Sequence, residues 1–143
     1  MKLLLVEDEK LLSKNIAKGL TLLGYAVDCA YDGEEALALY GLNDYDLMIL
    51  DLNLPKLDGM EVLRLIREKN ADFRILILSA RNQDNDKILG LNIGADDYIT
   101  KPFNPLELVA RVKTQLRRYL RYNSGETAPR EVTEYDFRGL QIS

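Results

Sequence analysis

At 143 residues the chain is long enough for one domain with a proper core and a fragment of a second. It is 47% hydrophobic and 29% charged, as in an ordinary soluble fold, and its net charge of −4 excludes nucleic-acid binding by overall charge. The single cysteine, Cys29, excludes an intrachain disulfide and favours a reducing, cytoplasmic setting, and the lack of histidine removes the usual zinc and histidine-base chemistries.

Lys2 to Glu7 is a short apolar run, too brief for a helix, and predicts a buried strand. Leu11, Leu12, Ile16, Leu20 and Leu23 then recur at helical spacing over Glu9 to Leu23, and Gly24 ends that helix. Tyr25 to Ala30 is a second strand, in which Cys29 reads as a buried small hydrophobe. Asp32, with Glu35 three residues on, makes a capping-box-like start to a helix whose apolar face is Ala36, Leu37, Leu39 and Tyr40. Asp46 to Leu50 is uniformly apolar after its first residue, as suits a strand covered on both faces.

Pro55 and Asp58-Gly59 mark a loop, and Met60, Val62, Leu63 and Ile66 repeat at helical spacing after it. Arg74 to Ser79 is a fourth strand, Asp84 to Gly90 a short polar helix, and Asp97 to Thr100 a fifth strand. Pro105 to about Arg121 is a helix with Leu106, Val109, Val112 and Leu116 inward. Alternating strands and helices predict an α/β fold, a parallel sheet wound on both faces. Beyond Asn123 the pattern fails: 124–131 has a linker composition, and 135–142 alternates like a lone strand. The expected division is a folded domain over 1–121, a linker over 122–134 and the start of a second domain over 135–143.

The strand ends carry the chemistry. Glu7 and Asp8 follow the first strand, Asp51 follows the third, Ser79 closes the fourth and Lys101 follows the fifth. Parallel strands bring their carboxyl ends to one edge of the sheet, where such folds place ligands. Neighbouring carboxylates raise one another's pKa unless a cation joins them, and a hard divalent ion meets that need with oxygen ligands. Asp8 and Asp51 are expected to bind it directly and Glu7 through water. Asp51, ending the middle strand, is the expected nucleophile toward phosphorus. Lys101, the Ser79 hydroxyl and the backbone N–H of Ala80 would neutralise the phosphoryl oxygens.

The ordered set Glu7-Asp8, Asp51, Ser79 and Lys101-Pro102 resembles the receiver domain of bacterial two-component response regulators. Leu54-Pro55, Asp58-Gly59-Met60, Gly94-Ala95-Asp96-Asp97-Tyr98 and Phe103 extend the likeness over about residues 2–121. The resemblance implies a flavodoxin-like (CheY-like) doubly wound sheet of five parallel strands, order 2-1-3-4-5, and a cis peptide between Lys101 and Pro102. It implies that Asp51 accepts a phosphoryl group from a sensor histidine kinase. Mg2+, with Mn2+ able to substitute, would be held by Asp8, Asp51 and the backbone carbonyl of Asn53, with Glu7 assisting. It makes Ser79 and Tyr98 the switch pair, and places Asn53 and Arg81 where phosphoryl lifetime is tuned. Self-phosphorylation and autodephosphorylation would be its only reactions; it is not expected to be an enzyme.

Lys87, Asp96, Asp97, Glu107, Arg111 and Arg118 match charged positions that pair between subunits in the winged-helix (OmpR/PhoB) group, and Ile88, Leu91 and Ala110 match the apolar centre of that homodimer face. Tyr135 to Leu140 resembles the first strand of that group's DNA-binding effector domain, so transcriptional output would lie downstream. Arg111, Lys113, Arg117, Arg118 and Arg121 form a basic stretch on the last helix, a weak nucleic-acid signal without interleaved aromatics. Three rivals are weaker. A phosphatase of the haloacid-dehalogenase type wants an acid two residues after its nucleophile, where Asn53 stands. A flavodoxin-like cofactor binder would set its phosphate against Glu7-Asp8-Glu9. A stand-alone receiver leaves the linker and trailing strand unexplained.

Overall fold

The computed structural model describes residues 1–80 and 94–124, the side chains of 118–124 excepted. Within them run β1 (Lys2–Val6), α1 (Lys10–Leu22), β2 (Ala26–Ala30), α2 (Gly33–Leu42), β3 (Leu47–Leu50), α3 (Gly59–Lys69), β4 (Arg74–Ser79), β5 (Asp97–Thr100) and α4 (Pro105–Ser124). The strands form one parallel sheet in the order β2-β1-β3-β4-β5. The predicted helix at 84–90, the linker from 125 onward and the trailing strand lie outside the described residues, while 122–124, expected in the linker, continue α4 to Ser124.

Strand periodicity builds the two cores. Leu4, Val6, Met48, Leu50, Ile75, Ile77 and Tyr98 face one way and pack against Ala36 of α2 and Val62, Leu63 and Ile66 of α3. Leu3, Leu5, Leu47, Ile49, Leu76, Leu78 and Ile99 face the other way, against Ile16 and Leu20 of α1 and Leu108, Val112 and Leu116 of α4. β1, β3 and β4 are buried on both faces but for Lys2 and Arg74, hence their apolar runs. β2 is an edge strand, and Cys29 on it is half-buried, not buried as the sequence suggests.

Helix ends follow local chemistry. Asp32 Oδ1 accepts the Glu35 N–H at 2.7 Å, and Glu35 Oε1 reaches back to the N–H of Tyr31, just outside the cap. Asp58 caps α3 through the Met60 N–H. Gly24, at φ 98, supplies the left-handed residue that ends α1.

Two helical faces are rotated from expectation. Leu11 is 70% exposed and Leu23 exposed, while Ser13, Ile16 and Leu20 are the buried positions of α1. On α4, Leu106 is 77% exposed, Val109 is half-buried and Leu108 is 3% exposed. The buried stripe on α4 is Leu108, Val112, Gln115 and Leu116. A leucine-rich helix offers several apolar stripes, and contact with the sheet selects one.

Candidate phosphoacceptor and metal site

The sheet register assembles the site. Val6 pairs with Leu50, so Glu7 and Asp51 leave adjacent strands at one level, and the Asp51 N–H donates to the Val6 carbonyl at 2.9 Å. Ser79 pairs with Thr100, and the Lys101 N–H donates to the Ser79 carbonyl at 2.8 Å. Alternation continues past the strand ends: Glu7, Asp51 and Lys101 fall in phase with Leu5, Ile49 and Ile99. The Lys101–Pro102 peptide is cis.

The Lys101 ammonium joins the acids, 3.0 Å from Asp51 Oδ2 and 2.7 Å from Glu7 Oε1. Glu7 is 1% exposed and Asp51 3%. Glu7 Oε1 has charge compensation from Lys101 but no well-aligned hydrogen bond, whereas Oε2 accepts the Glu9 N–H at 3.1 Å. Burial is the largest influence on Glu7. Lys101 and the Glu9 amide oppose it, the charge of Asp51 adds to it, and the carboxyl is pushed up to about 7. Burial alone would lower Lys101, but hydrogen bonds and charges from Glu7 and Asp51 outweigh it and hold the ammonium above its usual value.

Carboxylate oxygens of Glu7, Asp8 and Asp51 lie within 4.8 Å of one another. Two are buried, Asp8 is exposed, and one buried oxygen lacks an aligned donor. The donors are all hard oxygens and one member of the group faces solvent, which suits an oxygen-seeking divalent ion that keeps several waters. The residues therefore fit a metal of the Mg2+ class. The Asn53 N–H donates to Asp51 Oδ1 at 3.0 Å, so the loop after β3 orients the carboxylate.

Ser79 is buried at the end of β4, in phase with Ile75 and Ile77, and Ile77 is in register with Tyr98. Tyr98 is 4% exposed and belongs to the α2–α3 core. Ala80 is exposed beside them. Arg81, Lys87, Ile88 and Leu91 lie outside the described residues, as does the Arg118 side chain.

A family model described as the response regulator receiver domain matches residues 3–113. The chain belongs to the receiver domain family. It is thus the receiver of a response regulator of two-component systems. It is 49% identical over 139 residues to the regulatory protein VanRc of Enterococcus gallinarum, covering 97% of this chain and 59% of that protein. It is 49% identical over 117 residues to the alkaline phosphatase synthesis transcriptional regulatory protein PhoP of Bacillus subtilis, covering 82% and 49%. These relatives are of the OmpR/PhoB type. The chain spans 49% to 59% of the length of such relatives.

Among solved structures, the receiver domain of the Francisella response regulator 1452 superposes with a TM-score of 0.79 at 38% identity, covering 82% of this chain and 97% of that one. The response regulator TrrA of Thermotoga maritima, solved in complex with Mg2+ and BeF, gives 0.73 at 36% identity, covering 80% and 97%.

The structure also engages charges that the resemblance assigned to a dimer face. Asp96 turns inward: Oδ1 meets Arg74 and Oδ2 meets Arg67, each at 3.1 Å, and Oδ2 also accepts the Ile75 N–H at 2.8 Å. Its charge is compensated inside the protomer by these contacts. Asp97, Arg111 and Glu107 form a chain on β5 and α4, with Arg111 at 2.5 Å from Asp97 and 3.3 Å from Glu107. Ala110 is exposed beside them. The Arg67–Asp96–Arg74 cluster leaves no local pattern in the chain, since Asp96 lies 29 positions from Arg67 and 22 from Arg74. No helix of the described residues is long and apolar enough to cross a membrane.

Proposed function

We propose that this receiver accepts a phosphoryl group on Asp51 from a sensor histidine kinase and passes the change to a DNA-binding domain C-terminal to residue 121. The observation that carries the reading is the Asp51 carboxylate, buried beside Glu7 and Asp8 and 3.0 Å from the Lys101 ammonium. An Asp51 carboxylate oxygen attacks phosphorus, the bond from phosphorus to the donor breaks with its electron pair leaving on the donor, and an aspartyl phosphate results. Asp8, Asp51 and the Asn53 carbonyl would hold Mg2+, with Glu7 through water; bound there, the ion offsets charge on the phosphoryl oxygens. Lys101 supplies a second cation to those oxygens, and the Ser79 hydroxyl and Ala80 N–H supply neutral donors. Water then attacks phosphorus, the bond to the Asp51 oxygen breaks, inorganic phosphate leaves and the carboxylate is restored, so the receiver modifies and resets itself.

The output proposed is a population shift. Drawing Ser79 toward the phosphoryl group vacates space beside Tyr98 and biases the β5–α4 face, with Asp97, Glu107, Ala110 and Arg111, toward pairing with a second copy. Lys87, Ile88, Leu91 and Arg118 would complete that face. The names of the transcriptional regulatory relatives support transcription as the output.

The test is incubation with Mg2+ and a small phosphodonor, read by intact mass. One phosphoryl group should add to the wild type and none to Asp51→Asn; modification that persists in Asp51→Asn overturns the assignment. Sedimentation with and without beryllofluoride should show monomer passing to dimer, and Arg111→Glu should prevent it.

A further inference from the structure

We propose that Gly33, on α2 and outside the acidic pocket, is a positioning residue for the phosphoacceptor: the space its missing side chain leaves seats the loop that orients Asp51. The inference rests on the metal and phosphoacceptor reading above.

The loop from Leu52 to Asp58 is closed at its base by the Gly59 N–H, which donates to the Leu52 carbonyl at 3.0 Å. Two tight contacts shape its interior, Leu54 N–H to Leu52 carbonyl at 3.2 Å and Leu57 N–H to Pro55 carbonyl at 2.8 Å. Asn53, near its start, donates its N–H to Asp51 Oδ1, so a displaced loop moves the hydrogen bond that aims the carboxylate. Lys56, near its tip, holds a left-handed backbone at φ 68, a conformation unfavourable for a side-chain-bearing residue and kept only by its surroundings.

Those surroundings include the start of α2. A Cβ on Gly33 would stand 2.7 Å from Leu57 Cβ and 2.9 Å from the Leu57 carbonyl carbon, and closer still to its oxygen. Real Cβ atoms do not make such contacts, and the obstacle is chiefly backbone, so no rotamer relieves it. The φ of Gly33 is one that any residue adopts, so the glycine answers a demand for space, not for conformation. Its N–H donates to the Pro55 carbonyl at 3.5 Å, and Asp32 beside it pairs with Lys56 at 3.6 Å. Gly59 serves the base likewise: a Cβ there would lie 2.6 Å from Leu52 Cα and closer to the Asp51 carbonyl oxygen. The loop is thus wedged between two helix starts, one of them on a different helix from its own.

The experiment compares Gly33→Ala with Gly41→Ala. Gly41 is on the same helix and has nothing within 4 Å of a built Cβ, so the pair separates loop seating from a general gain in helix propensity. Mg2+ alone is titrated by calorimetry, and thermal unfolding in chelator reports folding. Gly33→Ala should weaken Mg2+ binding by about tenfold or more, the usual scale for losing an outer partner of a metal ligand. Gly41→Ala should match the wild type. Gly33→Ala that binds as tightly as wild type overturns the positioning role alone. Wild type that binds no Mg2+ overturns the metal reading and the role with it. Should Gly33→Ala fail to fold, Lys56→Gly leaves Gly33 intact while removing the side chain paired with Asp32 and freeing the left-handed turn of the seated loop, and unchanged Mg2+ affinity there counts against the role.

Discussion

Lys101 stands 3.0 Å from Asp51 Oδ2 while its other carboxylate contact is the buried Glu7. One ammonium therefore compensates two acids that a metal would otherwise neutralise. Replacing it with alanine should strengthen Mg2+ binding several-fold, because the ion no longer competes with a fixed cation. Phosphorylation from a small donor should fall by about 10²–10³, the cost of losing one preorganised charge at a transition state. Calorimetry and the initial rate of intact-mass gain measure the two effects; a rate unchanged in Lys101→Ala would remove the residue from the chemistry.

Glu7 sets a pH dependence of definite sign. Its folded pKa of about 7 lies above the ordinary 4.5, so the metal-free native state binds a proton that the unfolded chain has released. Stability in chelator should be highest below about 4.5 with respect to this group and decline as pH rises through about 7. Metal and proton compete for the same cluster, so Mg2+ affinity should rise by up to about tenfold per pH unit until about pH 7 and then level. Glu7→Gln should flatten both curves, as Mg2+ titrations at about pH 6 and about pH 8 will show.

Asp96 anchors two guanidiniums and a backbone N–H from two elements, α3 and β4. Asp96→Ala would leave Arg67, half-buried and already depressed by burial, without its principal partner. Urea unfolding should show a loss of about 3 kcal/mol, between the values for a charged hydrogen bond and for a broken buried pair. A loss that appears only in the dimer would show that Asp96 acts at the subunit interface instead.

Leu106 and Leu108 offer a paired test of the α4 face. Leu108→Ala removes a buried side chain and should cost about 2–5 kcal/mol, while Leu106→Ala should stay within about 0.5 kcal/mol of wild type. Parallel urea titrations decide it, and equal losses would mean that α4 is rotated from the position described.

By itself the sequence determined the strands, because β1, β3 and β4 are covered on both faces and must read as apolar runs. The runs also located Glu7, Asp8, Asp51, Ser79 and Lys101, since a polar residue closing such a run stands at the sheet edge. Local capping was legible for the same reason: Asp32 and Glu35 act within a few residues of each other. Only the tertiary structure decided which stripes of α1 and α4 face inward, because Leu11 and Leu106 satisfy helical spacing as well as the residues that are buried. It alone turned Asp96 onto Arg67 and Arg74, and set Gly33 against Leu57, since those contacts join segments far apart in the chain and leave no local pattern. Spacing records what a residue's own element needs; contacts between elements exist only once the sheet has closed.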